Sequence, residues 1–143
     1  MVSPRLAELP VPRAGLGEGP CWEPDEGALY WTDIPAHQVH RLAADGTHTA
    51  WDTGQPVGAI VPRAGGCVWV ALWGGSALVR YGPDGRLRQT LEIPAANVTC
   101  CAFGGADLAT LYITTAAGPG AGGGALFSCR PGAAGLPANP FRG

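Results

Sequence analysis

The chain has no lysine; all nine of its basic residues are arginine. Charge of either sign is scarce, at 14% of 143 residues, against about 25% in an average soluble domain. A formal net charge of −2 leaves no basic stripe for nucleic acid. Long uninterrupted apolar runs are missing as well. The most apolar stretch, 58–79, is broken by Pro62, Arg63 and repeated glycines, which argues against a membrane-crossing helix. No segment joins a basic start to a long apolar run, so no leader is expected and the cytoplasm is the expected compartment. The five cysteines are an odd count without paired spacing. They read as reduced thiols rather than as a disulfide framework or a zinc site. No segment of ten or more residues keeps a helical period.

Turn formers are what the chain has in quantity, with 23 glycines and 14 prolines. They punctuate three similar segments that open at Gly19, Val57 and Val98. Each begins with a short apolar strand and a turn, then a bulky strand: ALYWTDI, CVWVALW and TLYITTA. A third strand follows (QVHRL, ALVRY, ALFSC), then a turn at Asp45-Gly46, Asp84-Gly85 or Pro131-Gly132. Asp-Gly is a hairpin signal, and a tight primed turn with positive φ is expected there. A fourth strand closes each unit: HTAWDT, LRQTLEI and, least clearly, 136–141. A period of about 40 residues with four strands per unit marks the blades of a β-propeller. A β-sandwich also has short strands and many turns, but the phase-matched turns favour blades. CVWVALW is apolar on both faces, as an inner strand between two neighbouring blades should be.

The stretches LGEGPCWEPDEGALYWTDIPAHQVHRL, PVGAIVPRAGG, CVWVALWGGSALVRYGPDGRL, CCAFGGADLATLYITTA and LFSCRPGAAGLPANPF resemble the SMP-30/gluconolactonase/regucalcin-like proteins. The resemblance implies a six-bladed propeller of roughly twice this length, with a divalent metal in its central channel and hydrolysis of sugar lactones. The part up to about Gly66 is similar to that family's beginning, and the part from about Cys67 to its end. About three middle blades have no counterpart, with the join near Pro56-Val57-Gly58. The expected fold is therefore all-β, a half propeller of about three four-stranded blades within a single domain, 1–143. The blades fall at about 15–54, 55–94 and 95–143, and 3–13 is expected to add a closing strand beside 136–141.

Glu18 stands out, as a lone carboxylate between two glycines and before Pro20 at the start of the first strand. From the residues alone it could cap a loop, be solvated, or face other strand mouths, where a hard cation would offset its desolvation. The resemblance implies a metal ligand at this position, for Ca, Zn, Mn or Mg. It also implies a catalytic Asp in a Pro-Asp-Gly triplet at a blade opening. Here the corresponding triplet is Pro56-Val57-Gly58, and Val57 can neither ligate nor act as a base. At the third opening Asn97-Val98-Thr99 offers an amide and a hydroxyl. The further ligand and substrate contacts that the resemblance implies lie in the absent middle, so no catalytic or substrate-binding residue is assigned.

Other chemistry-bearing residues have plainer readings. His37, His40 and His48 read as turn and exposed outer-strand histidines rather than a metal cluster. Asp33 reads as a strand-end carboxylate accepting turn N–H groups. Cys100 and Cys101 read as packed thiols. The loop 118–124 lacks the lysine and helix of a phosphate loop. Trp22, Trp31, Trp51, Trp69 and Trp73 read as blade packing rather than a sugar platform. The resemblance implies metal-dependent hydrolysis of a small sugar lactone as the inherited activity. The alternative is a propeller remnant or binding module without catalysis. A homodimer that completes six blades around facing Glu18 side chains is the expected assembly, with no nucleic acid or membrane partner.

Overall fold

A computed structural model describes residues 6–63 and 65–137. Eleven strands and no helix make up the described residues. They form three antiparallel sheets. The first sheet is β1 (Gly17–Glu23), β2 (Ala28–Asp33), β3 (Gln38–Ala43) and β4 (His48–Asp52), in that order. The second repeats the order with β5 (Val57–Arg63), β6 (Cys67–Leu72), β7 (Ala77–Tyr81) and β8 (Leu87–Glu92). The third holds β9 (Val98–Gly104), β10 (Thr110–Thr115) and β11 (Leu126–Cys129). Strand β1 packs on β5, and β5 on β9, so the first strands of the three sheets form one inner row. This is a partial β-propeller.

Two cores join the sheets. Between the first and second lie Tyr30, Val39, Ile60, Val68, Val70 and Val79, with Trp51 at their margin. Between the second and third lie Trp69, Leu78, Val98, Cys101, Leu111 and Ile113. Valines 68 and 70 serve one core and Trp69 and Ala71 the other. That division of alternate residues is the reason β6 is apolar on both faces. Gly58 lets the second and third sheets approach. A Cβ there would stand 2.9 Å from the Thr99 carbonyl oxygen and 3.1 Å from that of Val98.

The Asp-Gly turns form where expected but are not primed. Gly46 (φ 86°) and Gly85 (φ 72°) are left-handed, whereas Asp45 and Asp84 are not. Gly46 N–H donates to the Ala43 carbonyl and Gly85 N–H to that of Gly82. A three-residue hairpin in which a glycine follows a type I turn needs one positive φ, not two. Two further expectations are corrected. The third sheet has three strands among the described residues, and Leu136 and Pro137 are not in a strand. The closing strand over 3–13 does not form across its described part, where 6–13 pair with no sheet. The rest of that expectation, at 3–5 and 138–141, lies outside the described residues.

Candidate functional site at the inner-strand mouths

Glu18 sits in a bulge. The β1–β2 register shifts between Glu18 and Cys21, at Gly19 (φ 60°) and at Pro20, which has no N–H to offer a ladder. A bulge re-aims the side chain beside it. The Thr32 hydroxyl donates to the Glu18 carbonyl at 3.2 Å and holds the backbone, while the residue stays exposed. Asp33 fixes the approach to this strand. It is buried, and its carboxylate accepts the N–H of Gly15 at 2.9 Å and of Leu16 at 3.2 Å. The Gly15 N–H above all holds the Asp33 carboxyl below the usual carboxylate range. It is the strand-end acceptor expected from the sequence.

The three inner strands start at one end of the row. There a cavity of about 350 Å³ gathers Glu18, Pro56, Val57, Gly58, Trp73 and Thr99, with Ile34 beside them. All three blade openings thus meet in one space. Val57 is fully buried and contributes apolar floor. The Thr99 hydroxyl is 2.8 Å from that of Thr114. The Asn97 amide turns away and donates to the Ala117 carbonyl at 3.4 Å. Among the described residues, Glu18 is the one ionisable group lining the space.

Trp73 is the lining residue that the packing expectation missed. It follows β6, and its N–H donates to the Pro56 carbonyl at 3.0 Å. An antiparallel bridge to Asn97 holds its other side, and 45% of the residue stays exposed. A signal was present in the sequence. β6 runs antiparallel to β5, so a residue just past its end must return to the Val57 end, and Gly74-Gly75 turn the chain immediately after. Packing is the right reading for Trp51 and Trp69, which lie in or against the two cores. Trp22 is also exposed, at 53%. It borders a second cavity with Cys21, Pro62, Phe103 and Leu136, which among the described residues no carboxylate or imidazole lines.

The histidines depart from expectation. His37 lies in a turn with φ 58°, but His40 is buried on β3 and bonded to His48. Neither lines the mouth. Among the described residues, no group of three His, Cys, Asp or Glu side chains could hold a metal ion. A hard divalent cation takes about six to eight oxygen ligands, and the mouth offers one carboxylate and a hydroxyl already engaged. The residues of one chain do not fit such an ion.

A sequence profile described as the SMP-30/Gluconolactonase/LRE-like region matches residues 16–66 and again 63–117. The chain belongs to this family. A putative sugar lactone lactonase, YvrE of Bacillus subtilis (strain 168), is 34% identical to this family member over 143 aligned residues, covering 85% of the chain and 48% of that protein. Pentonolactonase XacC of Haloferax volcanii is 36% identical over 119 residues, covering 76% of the chain and 40% of that protein. The crystal structure of a calcium-binding protein, regucalcin, from Agrobacterium tumefaciens superposes with a TM-score of 0.62 at 28% identity, covering 72% of the chain and 39% of that structure. The chain spans under half the length of each of these relatives. The two profile matches meet at 63–66, several residues past the join expected near Pro56-Val57-Gly58.

Proposed function

We propose that the mouth is part of a sugar-lactone site, and that a single chain binds there without hydrolysing. The observation that carries this is the pairing of Glu18 with a buried Val57 in a cavity that no other ionisable group among the described residues lines. Lactone hydrolysis needs a base to activate water. The exposed carboxylate can accept hydroxyl protons in hydrogen bonds, but a valine stands where the resemblance implies the catalytic Asp. Relatives named as lactonases support the ligand class. The test is hydrolysis of sugar lactones by one chain with added Ca²⁺, Zn²⁺, Mn²⁺ or Mg²⁺. Rates at the metal-only background are expected. Turnover above that background, lost in Glu18→Gln, overturns the reading.

The end sheets favour a second reading, in which a second copy completes the ring. Cross-strand pairing puts Trp22, Leu29 and Leu42 on the face of the first sheet turned away from the second. It likewise puts Ala102, Tyr112, Cys100 and Leu126 on the outer face of the third. Leu126 is 68% exposed and Tyr112 42%. One face is bulky, and the other has small residues around a tyrosine. A two-fold axis along the inner row sets each face on its counterpart twice and closes without growing. It also brings two Glu18 carboxylates across one channel, where a divalent cation would relieve their repulsion. Light scattering with metal and with chelator checks this. A dimer tightened by metal is expected, and a monomer in both conditions ends it.

A further inference from the structure

The first and second sheets repeat one pattern, and a departure from it singles out a pair of residues. In β6 and β7, Val70 pairs with Val79, and both are buried in the joint with the first sheet. The corresponding pair in β2 and β3 is Trp31 and His40. By strand alternation these two lie on the outer face of the first sheet, with Leu29, Leu42 and His48. A histidine thus holds a position that joins two sheets elsewhere in the chain. Among the described residues no other sheet packs on its face.

His40 is nevertheless only 3% exposed, because its cover is local. The Trp31 ring lies 12° from its plane with centroids 5.0 Å apart. The His48 ring lies 21° from its plane with centroids 5.2 Å apart. With the facing nitrogens at 3.0 Å, that separation sets the two imidazoles edge to edge, joined by one N–H···N bond. The far nitrogen, His40 Nε2, has no partner. A charged His40 would therefore bury an N–H that nothing accepts. The carboxylates on this face, Asp33 and Asp52, stand at its mouth end, with His37 in the turn beyond. Both are engaged: Asp33 accepts the N–H groups of Gly15 and Leu16, and Asp52 that of Gly54 at 2.6 Å.

The sheet at the other end of the arc has the complementary character. Strands β9, β10 and β11 contain no Asp, Glu, Arg or His. The titratable side chains on the outer face of that sheet are Tyr112 and Cys100, a phenol and a thiol. Such a surface can cover a neutral histidine pair, and it offers no counter-charge to a protonated one.

We propose that the His40–His48 pair is a pH gate on docking of a second copy. The third sheet of one copy covers the pair of the other while that pair is neutral, and a proton on the pair releases them. This rests on the reading in which a second copy completes the ring, and it adds what controls that contact. In the free chain water reaches the pair through half-buried His48; in the docked chain it does not. The free chain therefore binds the proton better, and by linkage the proton favours the free chain. Each proton excluded from a joint raises the dissociation constant by up to about tenfold per pH unit, and a two-fold assembly has two such joints.

Sedimentation velocity of the full chain, at several protein concentrations between pH 7.5 and 5.5, tests this. Ca²⁺ is held constant, since a hard cation prefers oxygen ligands and leaves imidazole to the proton. Near-ultraviolet circular dichroism at each pH reports whether the chain stays folded. A dimer is expected at pH 7.5, with a dissociation constant at least about tenfold higher at pH 5.5 in chains that remain folded. His40→Val supplies the side chain that the second sheet has at this position, and it is expected to hold the dimer at pH 5.5. If that variant does not fold, His48→Gln carries the test and is expected to shrink the pH shift. A dimer equally tight at both pH values overturns the inference and leaves the ring reading standing. So does a shift that these variants leave intact, or dissociation only where the fold is also lost. A monomer at every pH overturns the ring reading and the gate together.

Discussion

His40 Nδ1 and His48 Nε2 lie 3.0 Å apart, with Trp31 stacked against both rings. One proton serves this contact, and a second charge on the pair is resisted. His40 Nε2 is buried without a hydrogen-bond partner. Burial, and then the neighbouring His48, push the His40 pKa below its ordinary value, against a smaller opposing pull from Asp33.

Acid should therefore loosen the first sheet before it touches the carboxylates. Because the folded pKa is depressed, the unfolded chain takes up the proton first as pH falls through about 6.5. Stability is expected to drop from that point until pH passes the lower folded value. The slope contributed by this one group is at most about 1.4 kcal/mol per pH unit. Thermal melts at pH 7.5 and 5.5 check it, and His40→Gln should flatten the difference.

Glu26 joins two elements of the first sheet. Its carboxylate accepts the Tyr30 hydroxyl at 2.6 Å and pairs with Arg41, both side chains being 16% exposed. Burial and the Glu26 carboxylate push the Tyr30 hydroxyl pKa upward. Glu26→Ala strands the Arg41 charge and the Tyr30 hydroxyl together. A loss of about 3 kcal/mol is expected, read from urea unfolding, and Tyr30→Phe should cost less.

Gly58→Ala should separate the second and third sheets. Its methyl would stand within 3 Å of the Thr99 carbonyl oxygen, a backbone atom that cannot rotate away. The expected cost is about 2 kcal/mol, measured by the same unfolding experiment. Gly19→Ala, at a left-handed position with open space around it, should cost about 1 kcal/mol through backbone strain alone.

Thiol labelling should sort the cysteines by burial. Cys100 is exposed and its neighbour Cys101 buried, and burial pushes the Cys101 thiol far upward. Burial, then the nearby Glu23 charge, raises Cys21 to about 11. With iodoacetamide at pH 8, peptide mass spectrometry should find Cys100 modified first, Cys21 slowly, and Cys101 only after unfolding.

The strands, their turns and their grouping in repeats were legible in the sequence because they depend on neighbours along the chain. Alternation set the two faces of CVWVAL, and Asp45-Gly46 and Asp84-Gly85 marked the hairpins, although the number of left-handed residues followed from loop length. Asp33 was legible as a strand-end acceptor, but its N–H donors, Gly15 and Leu16, come from the approach to β1 rather than from the turn beside its own strand. Glu18 was singled out by its glycine and proline neighbours. What it faces was not, because the mouth is made by residues from three sheets. Only tertiary structure decided that Trp73 lines that mouth while Trp69 is buried, that His40 is covered by Trp31 and His48, and that Glu23, which caps its own turn by accepting the N–H groups of Asp25 and Glu26, is fully buried. The same residue type can pack, stack or stay exposed. Which it does is set by the sheet opposite, and by whether one stands opposite at all, and neither is written in the local period of a strand.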